Sequence, residues 1–209
     1  TGPYGPHKTA TVTVLSGLYS ATSGRVVLDG RDITKLAPHK RTEAGLGRTF
    51  QNIRLFRSMT ALENVVIGAE RPGNTLAQGA NRTALEERAL AALDFVGLGS
   101  RAGEAVTAFS YGHQRLIEIA RALAANPTLL LLDEPAAGLN STEKQSLHNL
   151  LERIASYGLT ILIIDHDMTL VSNAASHITV LNFGRRIADG ESMAVLRHPD
   201  VVSAYLGAE

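Results

Sequence analysis

The sequence predicts an α/β fold built on a parallel sheet, and three features carry that expectation. Leu129, Leu130, Leu131 and Leu132 form a run apolar on both faces, as strands of a covered parallel sheet are. Thr160–Ile164 is a second run of the same kind. Ahead of the first lies a helical segment with apolar residues at Leu116, Ile119, Ala120, Leu123 and Ala124, the spacing of one buried face. The first strand ends in Asp133-Glu134-Pro135 and the second in Asp165-His166-Asp167. Open α/β sheets bind ligands at the carboxyl ends of their strands. At the first of these ends one acid can hold a metal while the other orients a water.

Composition narrows the class. A chain of 209 residues can bury one good core, or one core with a small inserted subdomain. Hydrophobic residues make up 44% and the formal net charge is zero, which suits a globular protein and argues against a general nucleic-acid binder with its basic surplus. With no cysteine, disulfides and Cys-ligated zinc are excluded, and this fits the cytoplasm. No apolar run approaches the roughly 20 residues of a membrane-crossing helix, and no signal peptide is visible. The chain starts at Thr1, inside a motif, and is expected to be a piece of a longer protein.

Taken in order, residues 9–14 are β-branched and alternate like a strand. Thr22-Ser23-Gly24 is a turn, residues 25–28 a strand, and Asp29-Gly30 a hairpin signal. Pro38 suits the first turn of a short helix running through Ala44, and Arg48-Thr49-Phe50 reads as a strand ending at Gln51. Thr60 with Glu63, and Thr83 with Glu86, are capping boxes that start two helices. Leu85, Ala89, Ala92, Leu93 and Val96 give the second a buried stripe, and Gly97 ends it. Residues 71–81, rich in Gly, Asn and Gln, read as a loop between the two. Asn126-Pro127 stops the helix before the leucine strand. Ser141 can cap a helix with Leu147, Leu150, Leu151 and Ile154 on one face, which Gly158 ends. Residues 178–181 and 186–188 flank the turn Asn182-Phe183-Gly184 as a hairpin, and no internal repeat appears.

Ser110-Tyr111-Gly112-His113-Gln114, then a helix, then four aliphatics and Asp133-Glu134-Pro135, resembles the signature motif and Walker B of ABC-type ATPases. Ser110-Tyr111-Gly112 and Ala136-Ala137-Gly138-Leu139-Asn140 look most like the ATP-binding subunits of branched-chain amino acid importers. Phe50-Gln51-Asn52-Ile53-Arg54-Leu55-Phe56 resembles the Q-loop of those subunits, and the C-terminal residues 201–207 resemble their last helix. His166 matches the family's switch histidine in its distance from Walker B. Gly2-Pro3-Tyr4-Gly5-Pro6-His7-Lys8-Thr9 stands in the place of the phosphate loop, which needs backbone N–H groups, a lysine and a hydroxyl. Gly2, Lys8 and Thr9 match that pattern. His7 replaces a glycine, Pro6 removes a donor, and Tyr4 is larger than the family's usual residue. Phe109, His113 and Asp165 are milder departures.

The resemblance implies a P-loop NTPase (RecA-like) core with an inserted helical subdomain and a small antiparallel β portion. Residues 1–54 and 110–209 would be the two parts of the core and 55–109 the insertion; residues 8–17 would be a helix, against their β-branched pattern. It also places the strand that leads into the phosphate loop, and the aromatic residue that stacks on adenine, upstream of Thr1. The cofactors implied are ATP and Mg2+. Lys8 and the amides of the loop from Gly2 to His7 would hold phosphates, and Thr9, Gln51 and Asp133 the magnesium. Glu134 would act as general base and His166 on the γ-phosphate. Ser110, Tyr111, Gly112, His113 and Gln114 would complete the site of a second ABC ATPase subunit. Integral membrane permease subunits are the other partners, nucleic acid is not one, and the location is cytoplasmic, peripheral on the inner face of the cell membrane. Two rival readings stay open: a non-hydrolysing, degraded family member serving as a docking module, and a soluble ABC ATPase acting on nucleic acid.

Overall fold

The structure, a computed structural model, describes residues 7–70, 79, 81–165 and 167–206. Helix α1 spans His7–Leu15. Its β-branched residues are helical because Val12 is buried against Leu46 and Leu131 of the sheet, and tertiary packing overrides a weak local preference. The last carbonyls of α1, which have no partner inside the helix, accept from the buried Arg41: its Nη1 lies 2.7 Å from both Val14 O and Leu15 O. Gly17, at φ +80°, turns the chain there, and a side chain at that position would strike the Arg41 guanidinium.

Strands β1 (Val27–Leu28) and β2 (Arg31–Asp32) make the expected hairpin across Asp29 and Gly30, both at positive φ. Helix α2 (Pro38–Glu43) opens on its proline. The parallel sheet then follows, in the order β3 (Leu46–Arg48), β4 (Leu129–Asp133), β5 (Thr160–Ile164). β3 stops two residues short of the expected Phe50, although Thr49 N still donates to Leu131 O at 2.9 Å. β4 is the buried central strand that its leucines predict. β5 departs from expectation: Leu162 is 38% exposed, because among the described residues β5 is hydrogen-bonded on one side only.

Helices α3 (Ala61–Ala69) and α4 (Arg82–Phe95) pack on α5 (Tyr111–Ala124). The Thr60–Glu63 capping box is present at α3. The one expected at Thr83 is not: Asn81 caps α4, its side chain accepting from Ala84 N, and Thr83 lies inside the helix. α5 is buried more widely than its apolar stripe predicts, although Leu116 and Leu123 of that stripe are only partly buried. Ile117, Glu118, Ile119 and Ala120 are all within 1% of full burial, since α5 is covered by α3 and α4 on one side and the sheet on the other. The helix ends where expected, with Asn126 at positive φ before Pro127.

Helix α6 (Ser141–Ser156) buries Leu147, Leu150, Leu151 and Ile154 as its pattern requires. Its cap is Asn140 in a capping box with Glu143, one residue before the expected Ser141. After β5 come α7 (Met168–Ala174), the hairpin β6 (His177–Asn182) and β7 (Arg185–Glu191), then α8 (Ser192–Leu196) and α9 (Pro199–Leu206). The hairpin turn sits on Phe183 and Gly184, both at positive φ. Among the described residues no helix is long and apolar enough to cross a membrane.

Candidate functional site

Three of the residues singled out from sequence meet at the carboxyl end of β4. Glu134 leaves the strand with φ +46°, a left-handed conformation that costs a non-glycine residue roughly 1–2 kcal/mol. Its backbone N–H is held by Ile164 O at 2.7 Å. The bend presents its carboxylate to the loop after β3, where Gln51 Nε2 donates to Glu134 Oε2 at 2.9 Å. Asp133, the last residue of β4, stays in the core at 1% exposure.

The Asp133 carboxylate is only half accounted for. Oδ2 lies 3.7 Å from Arg48 Nη2, while the buried Oδ1 has no hydrogen-bond partner. Burial pushes its pKa up, opposed by the charge of Arg48 and reinforced by the neighbouring Glu134. A buried, unpartnered carboxylate oxygen is a binding position for a hard cation. Among the described residues no three His, Cys, Asp or Glu side chains gather as a metal cage. The free Asp133 oxygen suits an ion such as magnesium, which takes one or two protein oxygens and leaves its other positions to water and phosphate. The residues present fit it.

Arg48 is itself fixed by the Phe50 ring 4.7 Å below its guanidinium and by donation from Nη1 to Ser16 Oγ, just past the end of α1. Asp165, the acid that ends the β5 segment, is 1% exposed. Its Oδ2 accepts from Ala136 N at 3.4 Å and its Oδ1 from Asp167 N at 2.9 Å. The loops after β4 and β5 are thereby joined through one carboxylate.

The serine-led turn forms as predicted. Ser110 caps α5, its Oγ accepting from His113 N at 3.4 Å and lying 3.3 Å from His113 Nδ1. Gly112 is buried against Glu143, and a side chain there would collide with that carboxylate. Tyr111 is 45% exposed, and Gln114 Nε2 turns back to Phe109 O at 2.9 Å. Tyr111 and Gln114 line a cavity of about 300 Å³ with Asn52, Ile53, Leu55 and Val106, beside the half-exposed Phe56. A larger cavity of about 660 Å³ lies elsewhere, between α4 and the ends of α5 and α6, and no carboxylate lines it.

His7, Lys8 and Thr9 form the first turn of α1, so the backbone runs as a helix from the place expected of a phosphate loop. Gly2, Pro3, Tyr4, Gly5, Pro6 and His166 lie outside the described residues. Sequence reasoning missed Arg48, Arg115 and Glu118. Arg115 and Glu118 are fully buried and paired at 2.8 Å, with Arg115 also donating to the carbonyls of Phe50 and Gln51. Their signal was present: two opposite charges three residues apart, Glu118 between Ile117 and Ile119.

Similarity to known proteins gives the family. Residues 1–137 match the sequence family described as "ABC transporter". The chain is 41% identical, over an aligned span of 216 residues that covers 99% of this chain and 85% of the other, to the "High-affinity branched-chain amino acid transport ATP-binding protein BraF" of Pseudomonas aeruginosa. Its fold superposes with a TM-score of 0.84 on the ADP conformation of MJ1267, an ATP-binding cassette of an ABC transporter, at 32% identity over 96% of this chain and 84% of that one. The post-hydrolysis dimer of the ATP-binding cassette MJ0796 bound to ADP and Pi gives 0.74, at 25% identity over 88% and 80%. Alike in sequence to a transport ATP-binding protein over nearly its whole length, and in fold to two such cassettes, this chain belongs to the ABC transporter family.

Proposed function

We propose that this chain is the ATP-binding and ATP-hydrolysing subunit of an importer for branched-chain amino acids. The single observation that carries the reading is the meeting of Gln51 with Glu134 beside the half-partnered Asp133. A general base needs to be within hydrogen-bond reach of the water it activates, and Glu134, strained, turned to the loop and met there by Gln51, would fill that role. Gln51 would orient that water or the ion next to it. Asp133, with Thr9 and Gln51, would hold magnesium, which when bound neutralises charge on the transferring phosphoryl group. Lys8 and the backbone from Gly2 to His7 would hold the phosphates of ATP at the start of α1, and His166 would contact the γ-phosphate.

The Ser110 helix tip would act in trans. A helix N-terminus with free N–H groups favours an anion, and Ser110, Tyr111, Gly112, His113 and Gln114 would face the nucleotide of a second subunit. The dimeric structure of the related cassette bound to ADP and Pi supports a site made by two subunits. Residues 1–54 and 110–209 would then be the nucleotide-binding body and 55–109 its helical insertion. The cavity between Asn52 and Tyr111, flanked by exposed Phe56, would receive a membrane permease subunit and hold the chain on the inner face of the membrane.

The test is turnover and trapping. The chain should bind MgATP and hydrolyse it; Glu134→Gln should keep binding, lose about 10²–10³ in kcat and run as an ATP-bound dimer on sizing. His7→Gly, which restores the glycine of the family's pattern, should raise turnover. A chain that binds no MgATP, with or without His7→Gly, would contradict the reading.

A further inference from the structure

The segment between Gln51 and Phe56 belongs to no helix or strand, so its backbone polar groups need other partners. They find them on one face of α5. Arg115 Nη1 donates to Phe50 O at 2.6 Å and Nη2 to Gln51 O at 2.7 Å. Glu118 Oε1 accepts from Phe50 N and from Arg54 N, both at 3.4 Å. Arg121 Nη1 donates to Arg54 O at 2.6 Å. Five backbone groups of one loop are thus held by three charged side chains of one helix. The same Arg115 reaches the tip of its own helix, with Nη2 3.4 Å from Tyr111 Oη and the guanidinium 5.9 Å from that ring.

Arg115 has no solvent exposure and Glu118 only 1%. A buried ion pair is a poor device for stability, since well-packed apolar side chains often serve as well. A planar fork that can grip two carbonyls and a carboxylate at once is, however, a good device for fixing a backbone. What it fixes is the residue whose side chain meets Glu134. We propose that Arg115 is a positioning residue: it sets the Gln51 amide against Glu134 by holding the Phe50 and Gln51 carbonyls, with Glu118 holding it in turn. The loop that meets this subunit's own acid pair and the Ser110 tip are thereby one rigid piece. This rests on the hydrolytic reading above.

The experiment replaces the pair together, Arg115→Met with Glu118→Met, so that neither charge of the fully buried pair is left alone; Arg121, which loses its weaker contact with Glu118 at 3.8 Å, is 17% exposed and keeps its bond to Arg54 O. Two measurements are read. Hydrogen exchange should quicken at the Phe50 and Arg54 amides, while α5 amides from Ile119 to Ala122 keep wild-type rates. MgATP turnover should lose about 10–100-fold in kcat, the scale of a small misplacement, with KM within about twofold. In a Gln51→Ala background the same pair of substitutions should cost no more than about twofold further, because the effect runs through Gln51. Arg115→Lys, whose single ammonium cannot span both carbonyls, should stay low in kcat. Unchanged exchange at Phe50 and Arg54, or kcat losses that multiply with Gln51→Ala, would overturn the proposal. An unsubstituted chain that neither binds nor hydrolyses MgATP would be a different failure, bringing down the functional reading and this inference with it.

Discussion

Asp133 is held in the fold against its own solvation. Its carboxylate is buried, one oxygen lacks a partner, and the nearest cation stands at 3.7 Å. Burial raises its pKa first and Arg48 only partly offsets this. A raised carboxyl pKa means that the folded chain binds the proton more tightly than the unfolded one. Stability therefore falls as pH rises from the unfolded value of about 3.9 through the raised folded value, and stays lowered at neutrality. Asp133→Asn should accordingly raise the melting temperature of the metal-free chain at pH 7 by about 2–4 °C, the effect of about 1 kcal/mol at this length. The same change should abolish magnesium-dependent turnover, and melts with and without magnesium check both halves. The acids at this site were legible in sequence because they end apolar runs. Arg48 was not, because nothing local says that a strand-end arginine will turn inward toward an acid 85 positions away.

Caps show how local chemistry fixes an element and where reading it from sequence slips. For α6 both Asn140 and Ser141 are acceptable caps, and the choice falls to Asn140 because Glu143 stands three residues on and closes the box at 3.0 Å in both directions. Asn140→Ala should cost about 1 kcal/mol in denaturant unfolding and Ser141→Ala little. At α4 the rule misleads, since Thr83 with Glu86 fits the box while Asn81 does the capping. Periods of apolar residues proved the stronger guide: the stripe of α6 is buried as read, and so are those of α4 and β4 apart from Ala92 and Leu129, which are partly buried. α1 hid its helix behind β-branched residues, because burial of Val12 decides what propensity does not. Between α6 and α7, Asp167 Oδ2 meets Lys144 Nζ at 2.6 Å while Oδ1 caps α7. The lysine hydrogen bond lowers the Asp167 pKa, and Asp167 raises that of Lys144. The aspartate's share is present above its unfolded pKa of about 3.9 and is lost as pH falls through the lower folded value; the lysine's is present below about 10.4 and is lost as pH rises through its higher folded value. Asp167→Asn keeps a capping side chain, so it should cost under about 1 kcal/mol at pH 7, Lys144 being 42% exposed, and progressively less as pH falls through the lowered folded value.

The molecule as a whole has unequal cores. One large cluster joins α3, α4, α5 and α6 to β4, whereas Ile178, Val180, Ala188, Val195 and Val201 pack together as a separate one around the β6–β7 hairpin. Helix α7 belongs to both: Leu170 is buried in the first cluster and Val171 in the second, as successive residues on a helix point about 100° apart. Among the described residues β6 and β7 pair with each other and not with β5, so no ladder of hydrogen bonds carries cooperativity across. A unit joined by one helix and a few side chains can open without the rest. Ile178→Ala and Leu132→Ala should each cost about 2–5 kcal/mol to the core they line. Their reach should differ. Native-state hydrogen exchange should show Ile178→Ala speeding exchange across His177–Asn182 and Arg185–Glu191 while Leu129–Asp133 keeps its protection; Leu132→Ala should lower protection throughout, because the hairpin cannot outlast the body that α7 ties it to. Equal loss of protection in both regions from Ile178→Ala would mean that the two clusters fold as one, with α7 a rigid bracket between them.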